Sequence, residues 1–170
     1  MLRVLAFLGI LFLSAFCYAL FPSRRLPLHI VGDQLVVYKR KRKLQLWSKG
    51  KRIKTYTIAL GQKPTGAKEI EGDMRTPQGV YTIHSRNPES AFYLNLGISY
   101  PNEKDKAYAN ELGHSAGGAI KIHGLRNGSG WKGRFHRLND WTAGCIAVTN
   151  AEMKELYRAV PLGTPIIIHP

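Results

Sequence analysis

The sequence predicts a mainly β fold with one short helix at about residues 150–160. Two observations lead to this prediction. Short runs rich in β-branched residues alternate apolar with polar positions along most of the chain, and Gly- and Pro-containing stretches separate them. Only one segment beyond the N-terminus has the spacing of an amphipathic helix. With 170 residues and no internal repeat, the chain is long enough for one domain with a hydrophobic core.

The N-terminus has the order of regions found in a secretory signal peptide. Arg3 precedes the uncharged run VLAFLGILFLSAF, and small residues follow at Cys17 and Ala19. The uncharged stretch 4–21 is also long enough for an uncleaved membrane anchor. A buried core helix is the remaining interpretation of this segment.

We therefore expect three segments in the chain. Residues 1–19 are predicted to be a signal peptide or N-terminal membrane anchor, residues 20–33 a spacer, and residues 34–170 the functional domain. The domain would be exported to the periplasm or cell envelope, either free or anchored to the inner membrane. It would contact the membrane only through the N-terminal segment, if that segment is not cleaved.

The strand candidates are short segments with period-2 alternation or a continuous apolar run. In chain order they are DQLVVYK, KLQLWS, IKTYTIALG, GVYTIHS, GGAIKIHG and TPIIIHP. Between the fourth and fifth lie short apolar pieces in AFYLNLGISYP and a predicted loop around residues 102–118. A long glycine-rich loop, LRNGSGWKGRFHRLNDWTAG, follows the fifth strand.

The predicted helix is TNAEMKELYRAV. Thr149 can cap it, and Glu152 three residues later completes a capping-box pattern. Apolar side chains recur at helical spacing, and Pro161 with Gly163 would end the helix.

The formal net charge of the whole chain is +14, and Arg3 contributes one unit of it. Much of the excess lies in KRKRK (residues 39–43) and KGKRIK (residues 49–54). Such an excess favours polyanionic partners. Because an exported protein rarely meets nucleic acid, we expect acidic wall polymers rather than nucleic acid. A solvated basic hairpin without a specific ligand is the alternative.

Cysteine usage directs attention to one residue. Since Cys17 lies in the N-terminal segment, the mature chain holds only Cys145 and cannot form an internal disulfide. An odd exported cysteine suggests a reactive role, and the alternative is a small buried apolar side chain. The backbone N–H groups of Gly144 and Cys145 could form an oxyanion hole.

His123 is the candidate base for this thiol. It ends the strand AIKIH, where an imidazole can contact a loop cysteine and act as general base and acid. His136 is the competing partner, and His84 and His114 are weaker ones. The ring of His123 could be oriented by Asp140 or by a backbone carbonyl beside it. A metallohydrolase using these four histidines is a further alternative, but none shows the i, i+4 spacing of a strong zinc motif.

Four ordered segments resemble the L,D-transpeptidase catalytic-domain family (YkuD type). They are LVVYK with LQLWSKGKRIKTYTIALG, GDMRTPQGVYTI, ISYPN with GGAIKIHG, and IHG followed by TAGCIAV. The resemblance runs from about Gln34 to Ile168. It implies a β-sandwich or barrel-like fold and a catalytic domain at residues 34–170.

The resemblance also implies a reaction on peptidoglycan. The Cys145 thiol would attack the carbonyl of the third stem-peptide residue and release the terminal D-alanine. An amine or water would then resolve the acyl-enzyme. His123 would be the base, the Gly124 carbonyl would orient its ring, and Gly144 would supply an oxyanion amide. No metal or organic cofactor is implied.

Two positions depart from the family pattern. Ala143 stands where the family usually has a histidine, and Ala147 stands where it commonly has an arginine. These changes leave open an L,D-transpeptidase, an L,D-carboxypeptidase or an amidase that releases a wall-linked lipoprotein. A non-catalytic module that binds wall polymers is a further alternative.

Four residues are candidates for substrate binding. Arg126 and Arg137 could bind a substrate carboxylate, although each could instead be a solvated cation. Trp141 could pack against a stem peptide or against the domain itself, and Thr142 could contact substrate or form hydrogen bonds within the cysteine loop.

Overall fold

The computed structural model describes residues 25–170 and, before them, only the helical residues Phe7, Ile10, Leu13 and Ser14. Apart from these four positions, the predicted signal peptide or anchor at residues 1–19 lies outside the described residues. No helix in the described part of the chain is long and apolar enough to span a bilayer.

The fold is mainly β, as predicted. Eight strands form one sheet in the order β3-β2-β1-β8-β4-β5-β6-β7. Neighbouring strands are antiparallel except for the parallel pairs β1–β8 and β6–β7. The strands are β1 Gln34–Tyr38, β2 Lys43–Ser48, β3 Lys51–Thr57, β4 Gly79–Ser90, β5 Tyr93–Ile98, β6 Lys121–His123, β7 Ile146–Ala147 and β8 Pro165–His169.

The predicted helix near residues 150–160 is confirmed as α2, Asn150–Ala159. Its capping box forms as expected, because Thr149 accepts from the Glu152 N–H and the Glu152 carboxylate accepts from the Thr149 N–H. Met153 and Leu156 are fully buried on its inner face. This face covers one side of the hydrophobic core.

The predicted loop around residues 102–118 is wrong in part, because it contains helix α1, Glu103–Glu111. Asn102 and Asp105 form a capping box at its start. Ala109 is its only buried residue, so the segment lacks the apolar periodicity by which a helix is recognised in a sequence. The glycine-rich loop after β6 also contains a 3₁₀ helix, Gly130–Leu138, with Gly133 kinked inside it.

Part of the predicted spacer at residues 20–33 packs on the domain. Leu26 is buried, and its N–H donates to Glu155 Oε1 at 3.0 Å. The Leu26 carbonyl accepts from Arg158, and the Gly32 N–H donates to the Ala159 carbonyl. The N-terminal limit of the domain at residue 34 remains a prediction.

The basic run at residues 39–43 is only partly a surface feature. Lys39 is 1% exposed, and its ammonium donates to the Gly66 and Thr76 carbonyls. Burial, together with the charges of Arg75 and Arg42, lowers the pKa of Lys39 to about 8. Arg42 itself pairs with Asp140 at 2.6 Å. These cations therefore stabilise the turn between β1 and β2 and contribute less to a polyanion-binding surface than the sequence predicts.

Asp73 organises the irregular segment between β3 and β4. Its carboxylate accepts from Lys68 Nζ at 2.8 Å and from the backbone N–H groups of Glu69, Ile70 and Arg75. Burial raises the pKa of this carboxyl, but the four hydrogen bonds outweigh burial and the net pKa is lowered. These hydrogen bonds therefore fix the backbone conformation of the segment.

We expect Asp73→Asn to lower the free energy of unfolding by about 3 kcal/mol, because it leaves the buried Lys68 ammonium without a charged partner. Equilibrium unfolding in urea measures the change. Glu103→Gln is the matched control, since it removes an ion pair whose carboxylate is 89% exposed and should cost less than about 1 kcal/mol. Equal losses in the two variants would contradict the role of Asp73.

Candidate active site

The parallel pair β6–β7 brings His123, the last residue of β6, close to Cys145, which directly precedes β7. Ile122 pairs with Ile146 and His123 pairs with Ala147. Lys121 and Cys145 each lie one residue before the Ile122–Ile146 pair. His123 and Cys145 line the same cavity, whose volume is about 870 Å³. The sequence-predicted thiol and base are therefore brought to one site.

The ring of His123 is held in one orientation. It is 5% exposed, and its Nδ1 lies 2.7 Å from the Gly124 carbonyl oxygen. Because a carbonyl can only accept, Nδ1 carries the proton and Nε2 keeps a free lone pair. The rings of Phe92 and Trp141 pack against it at centroid distances of 4.7 Å and 5.6 Å. The sequence left open whether Asp140 or a backbone carbonyl orients the His123 ring. In the structure the Gly124 carbonyl orients it.

Asp140 has a different role. Its carboxylate accepts from Arg42 and from the Leu60 N–H at 2.8 Å. It ties the turn after β1 to the segment that precedes the cysteine. The acidic residue nearest to Cys145 in the sequence is therefore engaged elsewhere.

The charge state of the pair follows from burial. Burial lowers the pKa of His123, the bond to Gly124 opposes this shift, and the charge of Lys121 adds to it. Burial also raises the pKa of the Cys145 thiol, against the effects of the Lys121 backbone N–H and the charges of Lys121 and Lys68. At neutral pH the resting pair is therefore a neutral thiol and a neutral imidazole.

The cysteine itself is half-buried, and its Sγ donates to the Ala119 carbonyl at 3.6 Å. This carbonyl comes from the residue two positions before β6. The contact holds the thiol on the cavity side of the sheet.

Thr142 stabilises the turn that carries the cysteine. Its hydroxyl donates to the Cys145 carbonyl at 2.8 Å and accepts from the Gly144 N–H at 3.1 Å. Thr142 thus forms the hydrogen bonds within the loop that were its second interpretation; it also lines the cavity, and its contact with substrate stays a prediction. The Gly144 N–H, predicted as an oxyanion donor, is already engaged, so the Cys145 N–H is the stronger candidate for that role.

Glycine is required at position 144 by its conformation and its surroundings. Its φ is +128°, and a Cβ added there would lie 2.6 Å from the Arg75 carbonyl oxygen. Such an approach is closer than real Cβ atoms make. The backbone after Asp73 therefore contacts the cysteine turn directly.

Arg137 is not placed for substrate binding. Its guanidinium lies 2.5 Å from Glu152 Oε2, and the two side chains are 10% and 8% exposed. Arg137 does not line the cavity. Its charge is used to attach the 3₁₀ segment to the start of α2, which corrects the sequence-based expectation.

Arg126 and Trp141 do line the cavity. Arg126 is exposed there, as a carboxylate-binding group would be. Trp141 is half-buried and packs between His123 and His136, so the domain-packing interpretation holds for part of its surface.

His136, the competing base, also lines the cavity, and its ring packs edge-on against Trp141 at a centroid distance of 6.4 Å. Its Nδ1 accepts from Trp141 Nε1 at 3.4 Å, and its buried Nε2 has no hydrogen-bond partner among the described residues. Burial and the charge of Arg137 lower the pKa of His136 to about 4, so the ring is neutral near pH 7.

The other histidines weaken the metallohydrolase alternative. His84 and His114 are exposed and do not line the cavity. Within the described part of the chain, no three His, Cys, Asp or Glu side chains cluster as metal ligands would.

Sequence reasoning missed Lys121. It lines the cavity on the same face of β6 as His123, two residues before it. Strand periodicity was the signal that could have identified it. Ala143 is exposed at the cavity, whereas Ala147 is fully buried.

Comparisons with known proteins agree on one family. The family model of YkuD, the L,D-transpeptidase catalytic domain, matches residues 32–168. The Escherichia coli K12 protein named "Putative L,D-transpeptidase YafK" is 27% identical over 130 residues, which are 73% of this chain and 45% of the relative.

Solved structures give the same result. The helical cell shape determining protein Pgp2 of Campylobacter jejuni, in a mutant form, is 26% identical with a TM-score of 0.62, covering 83% of this chain and 48% of that one. Bd1075 of Bdellovibrio bacteriovorus shares the fold at 24% identity with a TM-score of 0.58, covering 82% and 48%. The chain thus spans about half the length of these relatives.

We expect Gly144→Ala to lower the free energy of unfolding by about 3 kcal/mol, because the new methyl group meets the Arg75 carbonyl at a positive φ. Gly163→Ala is the matched control, since its φ is +82° and nothing lies within 4 Å of the added Cβ. That variant should cost only the conformational strain, about 1–2 kcal/mol. Urea unfolding of both variants measures the difference, and an equal cost would show that the Arg75 contact is unimportant.

Proposed function

Because the chain belongs to the L,D-transpeptidase catalytic-domain family, we propose that it is a cysteine-dependent acyl-transfer enzyme acting on peptidoglycan stem peptides. One observation carries the proposal: Cys145 and His123 line one cavity, and the His123 ring is fixed with Nε2 free to accept a proton. The activity, the substrates and the partners of the whole protein are likewise proposed.

In the acylation step, Cys145 Sγ attacks the carbonyl carbon of the third stem-peptide residue. The thiol proton passes to His123 Nε2 as the S–C bond forms. The Cys145 N–H donates to the oxyanion of the tetrahedral intermediate. When the C–N bond breaks, the proton moves from His123 to the amine of the departing D-alanine, and a thioester remains on Cys145.

In the second step, His123 takes a proton from the attacking nucleophile. An amine of another stem gives a new cross-link, and water gives hydrolysis. As the C–S bond breaks, the proton returns from His123 to the Cys145 thiolate. No metal or organic cofactor takes part in either step of this mechanism.

Hydrolysis is the second candidate outcome, as an L,D-carboxypeptidase or as an amidase that releases a wall-linked lipoprotein. Ala143 supports it, because the exposed methyl group beside the cysteine offers no polar contact to an acceptor amine. The name of Pgp2 as a cell-shape determinant agrees with a role in remodelling the wall. A non-catalytic wall-binding module is less well supported, since such a module would not need the thiol and the imidazole at one cavity.

We further propose that the domain acts in the periplasm or cell envelope, where its substrate lies. The N-terminal segment at residues 1–19 would direct export as a cleaved signal or an inner-membrane anchor. Residues 34–170 would form the catalytic domain, and nucleic acid is not among the expected partners.

We expect the purified full-length protein, kept reduced, to modify muropeptides or protein-linked wall, and Cys145→Ala and His123→Phe to lower the rate by at least about a thousandfold. His84→Phe, at an exposed histidine outside the cavity, is the control and should keep full activity. Mass spectrometry separates the outcomes: cross-linked dimers indicate transfer, shortened stems a carboxypeptidase, and released protein an amidase. If the wild-type protein gives none of these products, the proposed function is wrong.

The pH dependence of kcat/KM should show an acid limb below pH 6.5. Burial lowers the pKa of His123 from its ordinary value of 6.5, so the imidazole stays unprotonated and basic at pH values where a solvated histidine is already charged. Activity should fall only when the pH drops through this lowered value. An acid limb above pH 6.5 would show that another group is the base.

A further inference from the structure

The charged side chains that line the catalytic cavity are all cationic. They are Lys121, Arg126 and Lys132, and no Asp or Glu lies among the described residues of the lining. A cavity with one sign of charge selects ligands of the opposite sign. This cavity should therefore favour a substrate that carries carboxylates.

Lys121 is the cation nearest to the chemistry. In the register of β6 and β7, Ile122 pairs with Ile146, so Lys121 and Cys145 stand side by side one residue earlier. Lys121 and Cys145 also line the same cavity. On the other side of β6, Lys121 pairs with Gly97 of β5. Because glycine has no side chain, this neighbour leaves the lysine side chain free space.

The ammonium of Lys121 has no assigned partner. It forms no side-chain hydrogen bond or ion pair with any residue in the range 25–170, although the residue is half-buried. Other cations of this domain form ion pairs: Lys68 with Asp73, Lys54 with Glu155, and Arg137 with Glu152. An unpaired ammonium in a partly desolvated cavity is a site for an anion.

The other two cations are less suited to bind at the reacting bond. Arg126 and Lys132 are exposed, and the Lys132 ammonium lies 5.9 Å from the centroid of the Trp131 ring. They can attract an anionic substrate, but the strand register places neither beside the thiol.

We propose that Lys121 binds a carboxylate of the donor peptide next to the scissile bond, and so selects donors in which that carboxylate is free. The inference rests on the proposed function and names a specificity-determining residue for it. Two carboxylates of a stem peptide have the required chemistry. One is the terminal carboxylate of the departing residue, and the other belongs to the side chain of the acylated diamino acid.

The first experiment needs no enzymatic activity. Cys145 of the full-length protein is alkylated with iodoacetate and with iodoacetamide, which differ in one carboxylate, and the ratio of the two rates is measured at a single pH. Because both reagents react with the same thiolate, a change in the thiolate fraction alters the two rates equally and leaves their ratio unchanged. Since Cys17 also carries a thiol, modification of Cys145 is read by peptide mass spectrometry.

We expect Lys121→Met to lower the iodoacetate-to-iodoacetamide ratio on the order of tenfold, and Lys121→Arg to keep most of it. Lys104→Met is the matched control and should change the ratio by less than about twofold, because Lys104 is exposed in α1 and does not line the cavity. Thermal unfolding shows whether each variant is folded. If Lys121→Met leaves the ratio unchanged, or Lys104→Met lowers it equally, the proposal is wrong.

The second experiment uses stem tetrapeptides that are free, amidated at the terminal carboxylate, or amidated at the diamino-acid side chain. Lys121→Met should lower kcat/KM for the free peptide by ten- to a hundredfold, mostly through KM. It should have little effect on the peptide whose relevant carboxylate is amidated, which identifies the source. Equal losses on all three peptides would contradict carboxylate binding. If the wild-type protein is inactive but the alkylation ratio responds, the proposed function fails and the anion site stands.

Discussion

The backbone contact between Arg75 and Gly144 is the constraint on which the geometry of the cavity depends. The Arg75 carbonyl oxygen occupies the space in which a side chain at position 144 would lie, and the Met74 carbonyl does the same at Gly61. Three segments of backbone can meet here only because two of them carry glycine. Asp73 holds the segment of Met74 and Arg75 in place through four hydrogen bonds. Backbone packing therefore positions the cysteine turn, and the position of the turn determines where the thiol lies.

The parts of this arrangement that are local in the sequence could be predicted from it. Strand periodicity, the histidine at a strand end and the glycine before Cys145 are visible in short windows, and they identified most of the sheet, α2 and the two candidate catalytic side chains. Helix α1 was not predicted because it buries only Ala109. Its sequence therefore lacks the apolar periodicity that indicates a helix. The roles of Thr142 and the Gly144 N–H escaped because hydrogen bonds inside a turn depend on backbone angles that residue types do not determine.

Long-range charge pairing was hidden for a different reason. Arg42 pairs with Asp140, 98 positions away, and Lys54 pairs with Glu155, 101 positions away. No window of sequence contains both partners. Cations of the two basic runs were therefore read as surface charge, although they connect the β1–β3 hairpins to Asp140 and to α2. Arg137 was misjudged in the same way, because its partner Glu152 also serves the capping box of α2. The unpaired cations that remain near the thiol are thus more informative than the total charge.

The buried position of Ala147 changes how its departure from the family pattern is interpreted. Ala147 is fully buried and exchanges both backbone hydrogen bonds with Ala59, which is buried as well. An arginine at this position would need space and solvent that this chain does not provide. The alanine is therefore part of the core and leaves no empty place in the substrate surface. The cation beside the thiol comes instead from Lys121 on the neighbouring strand, one register position from the Ile122–Ile146 pair. The charge of Lys121 lowers the pKa of both His123 and Cys145, so the same ammonium disfavours an imidazolium and favours the thiolate. A carboxylate bound at Lys121, as proposed, would offset both effects and so couple the charge of the substrate to the protonation of the catalytic pair.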